Sequence, residues 1–366
     1  MKSLGLVRYA LCICMAATLL VGCGGSQPPI GAPGAVPQSR AIATHAERGR
    51  SWILPEARRG ALLYISNASL NVYVYSYPRG QHVGTLSVSY EPHGECVDAS
   101  GDIFIPANST SSQNPGIVYE YAHGGTNPIA TLNDPGLPLG CSVDPTTGNL
   151  AVSNTYDTSN PYNAQNGSIA IYAAAQGQPT MYYSSQFGMG LCGYDDKGTL
   201  YLTGGTGNTR QVQLLRLRKG SGSFELIRVN KKIYYGLFLA PSVQWDGQYM
   251  TVSSVLKRSA YFGQKGRGTV FVYRLAISGS SATVIGITKL VSNRNIHGGQ
   301  SWIQGNTIIG NDPTYRTVSL WPYPEGGKPD RIIKGSFNYG FFWGAAVSLA
   351  PGAKPHSIHN AKEQRR

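Results

Sequence analysis

Two histidines are the side chains of this sequence best suited to acid–base chemistry. His93 and His297 each precede a glycine, and histidine is the residue whose charge changes near neutral pH. Either one could act as a general base. The alternative is that both are hydrogen-bonded structural residues, because no acidic partner is visible and the chain has no GxSxG, HExxH or phosphate-loop motif.

A second candidate set suits binding rather than catalysis. Tyrosine, tryptophan and arginine side chains provide stacking surfaces and hydrogen bonds, and several occur in the longer predicted connections or at the entrance to an innermost strand. They are Tyr156, Tyr162, Arg210, Arg258, Tyr261, Tyr315, Arg316 and Trp343. The competing interpretation is that these connections are ordinary solvated loops.

The elements that would position these residues follow from an internal repeat. A short strand after a tight turn recurs six times, and each copy is followed by an alternating strand. In the alternating strands one aligned position holds Tyr75, Tyr119, Tyr172, Leu215, Tyr273 and Trp321, at steps of 44, 53, 43, 58 and 48 residues. A repeat of this length indicates radially arranged units that bury their faces against one another. Asp98, Asp144 and Asp195 precede the short strands and are interpreted as turn formers.

The repeat predicts an all-β fold, a six-bladed β-propeller of four-stranded blades over residues 61–352. The chain enters at the second strand of a blade and ends on an innermost-type strand, so the C-terminal strand is expected to complete the first blade and close the ring. The pattern over residues 62–350 resembles the NHL-repeat and TolB-like six-bladed propellers. That resemblance implies an architecture and little about activity.

Connection lengths predict a working face. The turns between innermost and second strands are short, and their side is called here the short-turn face. The connections between second and third strands are longer, and their side is the long-loop face. Insertions on one face of a repeat protein are usually where binding occurs, so ligand binding is expected on the long-loop face.

Enzymatic six-bladed propellers supply the alternative function. Proteins of the gluconolactonase type hold a divalent cation with a carboxylate-rich set, whereas this chain offers only Glu95 near an innermost strand. Similarity to streptogramin-lyase-like propellers would instead imply a histidine base, a role open to His93 or His297. No cofactor and no metal ion are expected.

Three cysteines remain in the predicted propeller, all on innermost strands. Cys96 lies two residues before its turn aspartate, whereas Cys141 and Cys192 lie three residues before theirs. Cys96 therefore points to the opposite blade face from the other two. The parity allows a disulfide between Cys96 and Cys141, and three buried free thiols are the alternative.

The N-terminus has the pattern of an export signal. Lys2 and Arg8 precede an apolar run that ends in Leu20-Val21-Gly22-Cys23, which resembles the bacterial lipobox. The resemblance implies removal of residues 1–22 and acylation of Cys23, with 23–60 as a flexible tether and the outer membrane or cell surface as the location. An uncleaved anchor helix is the alternative.

Charge gives one further indication about partners. Without Lys2 and Arg8 the chain has 29 basic residues against 18 acidic ones, with basic runs at 210–219, 228–232, 257–267 and the 353–366 tail, which is expected to be disordered. Such runs favour anionic polymers or lipid headgroups, and a nucleic acid is not expected outside the cell. We therefore expect a monomeric, lipid-anchored binding module for a protein, glycan or anionic envelope component, with a lyase-like or lactonase-like enzyme as the alternative.

Overall fold

The computed structural model describes residues 50–109, 115–157, 167–183, 188–205, 211–234, 241–256, 269–291, 300–312, 316–335 and 342–352. All of them belong to the second of two compact units, Arg48–Arg366. Within these residues the protein is all-β and propeller-like. Two short 3-10 segments, Pro55–Arg59 and Ala173–Ala175, are the helical structure of this part, and it contains no helix long and apolar enough to cross a membrane.

One sheet contains both the first and the last strand of the described chain, and a second sheet follows it in sequence. One has the order β1-β4-β3-β2-β26, with β1 Trp52–Ile53, β2 Leu62–Asn67, β3 Asn71–Ser76, β4 His82–Ser87 and β26 Phe342–Ser348. The second contains β5 Glu91–Pro92, β6 Cys96–Val97, β7 Ile103–Asn108, β8 Gly116–Tyr121 and β9 Ala130–Asp134. The antiparallel pairing of β2 with β26 joins the two ends of the described chain.

Two further sheets each hold four antiparallel strands in chain order. One comprises β10 Gly136–Val143, β11 Leu150–Asp157, β12 Ser168–Tyr172 and β13 Thr180–Tyr183. The other comprises β22 Trp302–Gln304, β23 Thr307–Asp312, β24 Thr317–Pro322 and β25 Arg331–Lys334.

The fifth sheet has eight strands. Its strands are β14 Gly188–Tyr194, β15 Leu200–Gly205, β16 Gln213–Leu217, β17 Glu225–Val229, β18 Val243–Trp245, β19 Met250–Leu256, β20 Thr269–Ser278 and β21 Ser281–Val291. Two antiparallel sets of four meet where β17 pairs in parallel with β21, at Arg228↔Ser281 and Val229↔Ala282.

The aligned aromatic position of the repeat lies in the core. Tyr75, Tyr119, Tyr172, Leu215, Tyr273 and Trp321 are all buried, on β3, β8, β12, β16, β20 and β24. The turn aspartates act as expected. Asp98 Oδ1 accepts the backbone N–H groups of Ser100 and Asp102 at 2.9 and 2.8 Å, and Asp195 Oδ1 accepts those of Lys197 and Thr199.

A disulfide joins two neighbouring sheets. Cys96 on β6 and Cys141 on β10 are bonded with a Cα–Cα distance of 5.5 Å, the pairing that the strand parity allowed. Cys192 on β14 is a buried free thiol, and burial raises its pKa to about 12.

Ordered structure begins before residue 61. Residues 24–60 were expected to be a tether, but Trp52–Ile53 forms β1 against β4, and a 3-10 segment follows. Ile53 is buried on this sheet, and a Cβ at Gly84 would lie 2.6 Å from its side chain. The apolar contact explains why this part of the segment is ordered despite its composition.

Candidate ligand-binding site

His93 lies immediately after β5 and is a buried, stacked residue. Its ring stacks on that of Trp343 with centroids 4.9 Å apart and planes 19° apart, and its Nε2 lies 2.9 Å from Asn108 Nδ2. Burial lowers the pKa of His93 from 6.5 to about 4. His93 is therefore uncharged at neutral pH, and the expectation that it titrates near neutrality is wrong for this position.

Trp343 covers His93 rather than presenting a free binding surface. The side chain is half-buried, and its indole Nε1 donates to Glu91 Oε1 at 2.8 Å. The contacts to His93 and Glu91 give Trp343 a structural role in joining β26 to the sheet that contains β5.

Glu95 is fully buried two residues further along the chain. Ser66 Oγ donates to Glu95 Oε1 at 2.6 Å, and Gln300 Nε2 donates to the Glu95 carbonyl oxygen at 2.6 Å. Within the described residues Glu95 Oε2 and Gln300 Oε1 have no partner, and both lie within 3 Å of the position that a Cβ of Gly344 would occupy. Burial raises the pKa of Glu95 from 4.5 to about 8.

The other predicted ligand-binding and catalytic residues form no common site within the described residues. Arg316 is exposed, with a left-handed φ of 53°. Tyr156 lies in β11, but its side chain is not described. The other predicted residues lie outside the described residues: Cys23, Tyr162, Arg210, Arg258, Tyr261, His297 and Tyr315. Among the described residues no group of three or more His, Cys, Asp or Glu side chains could hold a metal ion.

Two cavities lie at the opposite ends of these strands, on the short-turn face. The first, the axial cavity, has a volume of about 280 Å³ and is lined by ends of innermost strands that include Ser142, Gln244 and Ser301. Much of its polar lining already bridges neighbouring strands. Gln244 Oε1 accepts from the Ile303 backbone N–H at 2.7 Å while its Nε2 donates to the Ile303 carbonyl at 2.9 Å.

The second cavity, the blade groove, has a volume of about 390 Å³. It lies where β15 and β16 face β19 and β20, and shares Asp195, Asp196 and Trp245 with the axial cavity. Its lining is Asp195, Asp196, Lys197, Thr199, Tyr201, Arg216, Arg218, Trp245, Gln248, Tyr249, Met250, Leu275, Ala276 and Ile277. A volume of roughly 300–1,000 Å³ is typical of small-molecule sites.

An arginine pair is fixed in place at the blade groove. Arg216 on β16 is buried and its Nη2 contacts Glu225 Oε2 at 2.5 Å, while Arg218 Nε donates to Glu225 Oε1 at 2.9 Å. These two arginines hold the pKa of Glu225 at about 2, well below its ordinary value. Glu225 therefore compensates one of the positive charges of the basic run at 210–219.

Sequence reasoning missed this groove for a specific reason. The pairing of Arg216 with Glu225 across the β16–β17 hairpin could have been found from alternation, which places Arg216 and Arg218 on one face of the strand. Trp245 and Tyr249, in contrast, come from a different four-strand set, and nothing in their sequence context indicates that they face β16.

Comparison with known proteins shows the fold alone. No protein-family model matches the chain, and no curated protein matches its sequence. A chain of the nidogen/laminin complex superposes with a TM-score of 0.55 at 10% identity, covering 80% of this chain and 100% of that one. Hydrazine synthase from Kuenenia stuttgartiensis gives 0.50 at 16% identity, covering 77% and 79%. The protein has a β-propeller fold. Identities this low transfer no activity.

Proposed function

We propose that this chain is an exported, lipid-anchored, six-bladed propeller that binds a ligand at its short-turn face. Six blades result if the eight-stranded sheet counts as two four-strand units joined through β17 and β21, with β26 completing the first blade. The lipobox-like segment ending at Cys23 supports export and acylation.

The observation that supports a binding role is the blade groove. Its lining combines aromatic residues, an apolar floor that includes Met250 and Leu275, and polar groups at Arg218 and Gln248. Concave sites with apolar walls and a few fixed polar groups are where proteins bind small ligands or parts of larger ones. The arginines are held by Glu225 before any ligand arrives, which reduces the entropic cost of binding.

The geometry disfavours a catalytic role for His93 and Glu95, while His297, the other candidate base, lies outside the described residues. His93 is covered by Trp343, and Glu95 is enclosed by Ser66, Gln300 and Gly344. A general acid or base must come within hydrogen-bond distance of the substrate atom that it serves. Neither group meets that requirement without displacing these neighbours.

Co-sedimentation tests the binding role. Protein lacking residues 1–23, so that neither the signal segment nor an acylated Cys23 can bind the vesicles, is incubated with isolated peptidoglycan, with an insoluble neutral polysaccharide and with anionic phospholipid vesicles. We expect one material to retain the wild type and Trp52→Ala, a tryptophan remote from the groove, but not Trp245→Ala. Retention that survives Trp245→Ala and is lost on Tyr261→Ala would place the site on the long-loop face and contradict the proposal.

Metabolic labelling tests the anchor separately. Cells fed an alkyne-bearing fatty acid should label the wild-type protein and leave Cys23→Ser unlabelled. Equal labelling of both proteins, or none of either, would contradict acylation at Cys23.

A further inference from the structure

We infer that the blade groove is a saccharide site, which takes an uncharged sugar unit with its apolar face against the aromatic wall. This inference rests on the proposed binding function and names the chemical class of its ligand. The charge, lining and strand pairing of the groove each restrict that class.

Charge argues against a polyanion at this position. The lining contains the cations Lys197, Arg216 and Arg218. Three carboxylates match them, because Asp195 and Asp196 also line the groove and Glu225 bonds both arginines. The basic excess of the whole chain is therefore absent from the groove, and a phosphate-rich or sulfate-rich ligand would gain little net attraction there.

The lining is amphipathic in the way that a sugar ring requires. A pyranose has an apolar C–H face and a rim of hydroxyl groups. In the groove Trp245 and Tyr249 provide aromatic surface, while exposed Asp196, Gln248 and Arg218 provide donors and acceptors. Ring stacking places the apolar face on an aromatic surface without burying hydroxyl groups unpaired.

Arg218 has the geometry of a ligand-binding arginine. Its side chain is 53% exposed, and within the described residues only its Nε is hydrogen-bonded, to Glu225. The planar guanidinium is thus oriented while its terminal amino groups stay free to donate to a pair of hydroxyls. Trp245 likewise makes no side-chain hydrogen bond to another described residue and is half-buried, so its ring is held by packing alone.

Strand pairing argues against an extended peptide as the occupant. A bound peptide of that kind usually adds to a free strand edge. Of the strands bordering the groove, β16 lies between β15 and β17, and β20 lies between β19 and β21, so neither has a free edge. β18, which carries Trp245, ends the sheet, but its residues Val243 and Gln244 line the axial cavity and not the groove. The groove therefore offers side chains and turn ends rather than an unpaired backbone edge.

Saturation-transfer NMR and titration calorimetry test the inference on the full-length chain, in a detergent without a sugar headgroup. The probes are cellotetraose, maltotetraose and chitotetraose at millimolar concentration, with a heparin tetrasaccharide and an alanine tetrapeptide as other classes. We expect at least one neutral tetrasaccharide to bind. Trp245→Phe should weaken it severalfold and Gln248→Ala, an exposed position less able to affect folding, should weaken it about threefold, with Trp52→Phe unchanged.

Three results would overturn the inference. They are no binding by any of the three neutral sugars, sugar binding that neither groove variant weakens, and binding of heparin or the tetrapeptide in place of the sugars. If a lipid or a peptide is retained and its retention depends on Trp245, the saccharide assignment is wrong but the proposed binding function stands. If no tested ligand depends on Trp245 for binding, both are wrong.

Discussion

Replacement of Glu95 by glutamine should remove a pH-dependent part of the protein's stability. The amide of Glu95→Gln is uncharged at every pH, as the protonated acid is in the wild type, and its side-chain oxygen can still accept from Ser66 Oγ. The variant should therefore imitate the neutral form of Glu95 and lose only its titration.

The magnitude follows from the pKa difference. Glu95 titrates at about 8 in the folded protein and near 4.5 when unfolded. Because the folded pKa is raised, the contribution of Glu95 to stability is complete below about pH 4.5 and is lost as pH rises to about 8. A difference of about 3.5 pKa units corresponds to about 5 kcal/mol in the free energy of unfolding, an upper value because an ionised carboxylate can draw in water.

A restricted pH window isolates this residue from other buried groups. Asp134 titrates at about 6 when folded, and the depressed pKa of His93 affects stability only below 6.5. Between pH 6.5 and 8 neither contributes, and Glu95 alone should lower the free energy of unfolding by about 2 kcal/mol.

Urea unfolding at pH 6.5 and pH 8, with the disulfide intact, measures this difference. We expect wild-type stability to fall across the window and that of Glu95→Gln to stay nearly level. Asp134→Asn is the matched control, a second buried carboxyl whose replacement should leave the wild-type slope intact. Parallel slopes for the wild type and Glu95→Gln would refute the assignment of a proton to Glu95 at neutral pH.

Three further perturbations follow from the same structure. Alkylation and intact mass of unreduced, denatured protein lacking its signal segment should reveal one propeller thiol, Cys192, whereas three thiols would exclude the disulfide. Cys141→Ala removes a cross-link between residues 45 positions apart and should lower the free energy of unfolding by about 4 kcal/mol. Trp343→Ala should let water reach His93 and raise its pKa from about 4 towards 6.5, measured by NMR titration of the ring, and an unchanged value would show that Trp343 does not exclude water. Gly84→Val places a side chain against Ile53 and the Trp52 carbonyl. The amide of Leu54, which donates to the Val83 carbonyl at 2.8 Å, should then exchange faster with solvent while exchange in β23 stays the same; equal protection of Leu54 in both proteins would contradict the docking of β1.

The repeat allowed the β-propeller fold to be predicted because its recurring positions are the ones that pack in the core. One buried residue per unit, such as Tyr172 or Trp321, marks the strand that must face a neighbouring unit. The parity of Cys96 and Cys141 likewise depends only on the two-residue period of strands. The fold and the cysteine pairing could therefore both be predicted from the spacing of residues along the chain.

The candidate site was less predictable because it depends on contacts between distant segments. His93 seemed suited to titration, but burial lowers its pKa, and the ring that stacks on it belongs to Trp343, 250 positions along the chain. Loop length favoured the long-loop face, most of whose connections lie outside the described residues, whereas the two cavities described above lie at the short turns. Short turns fix the side chains beside them, and fixed walls can enclose a cavity without long insertions.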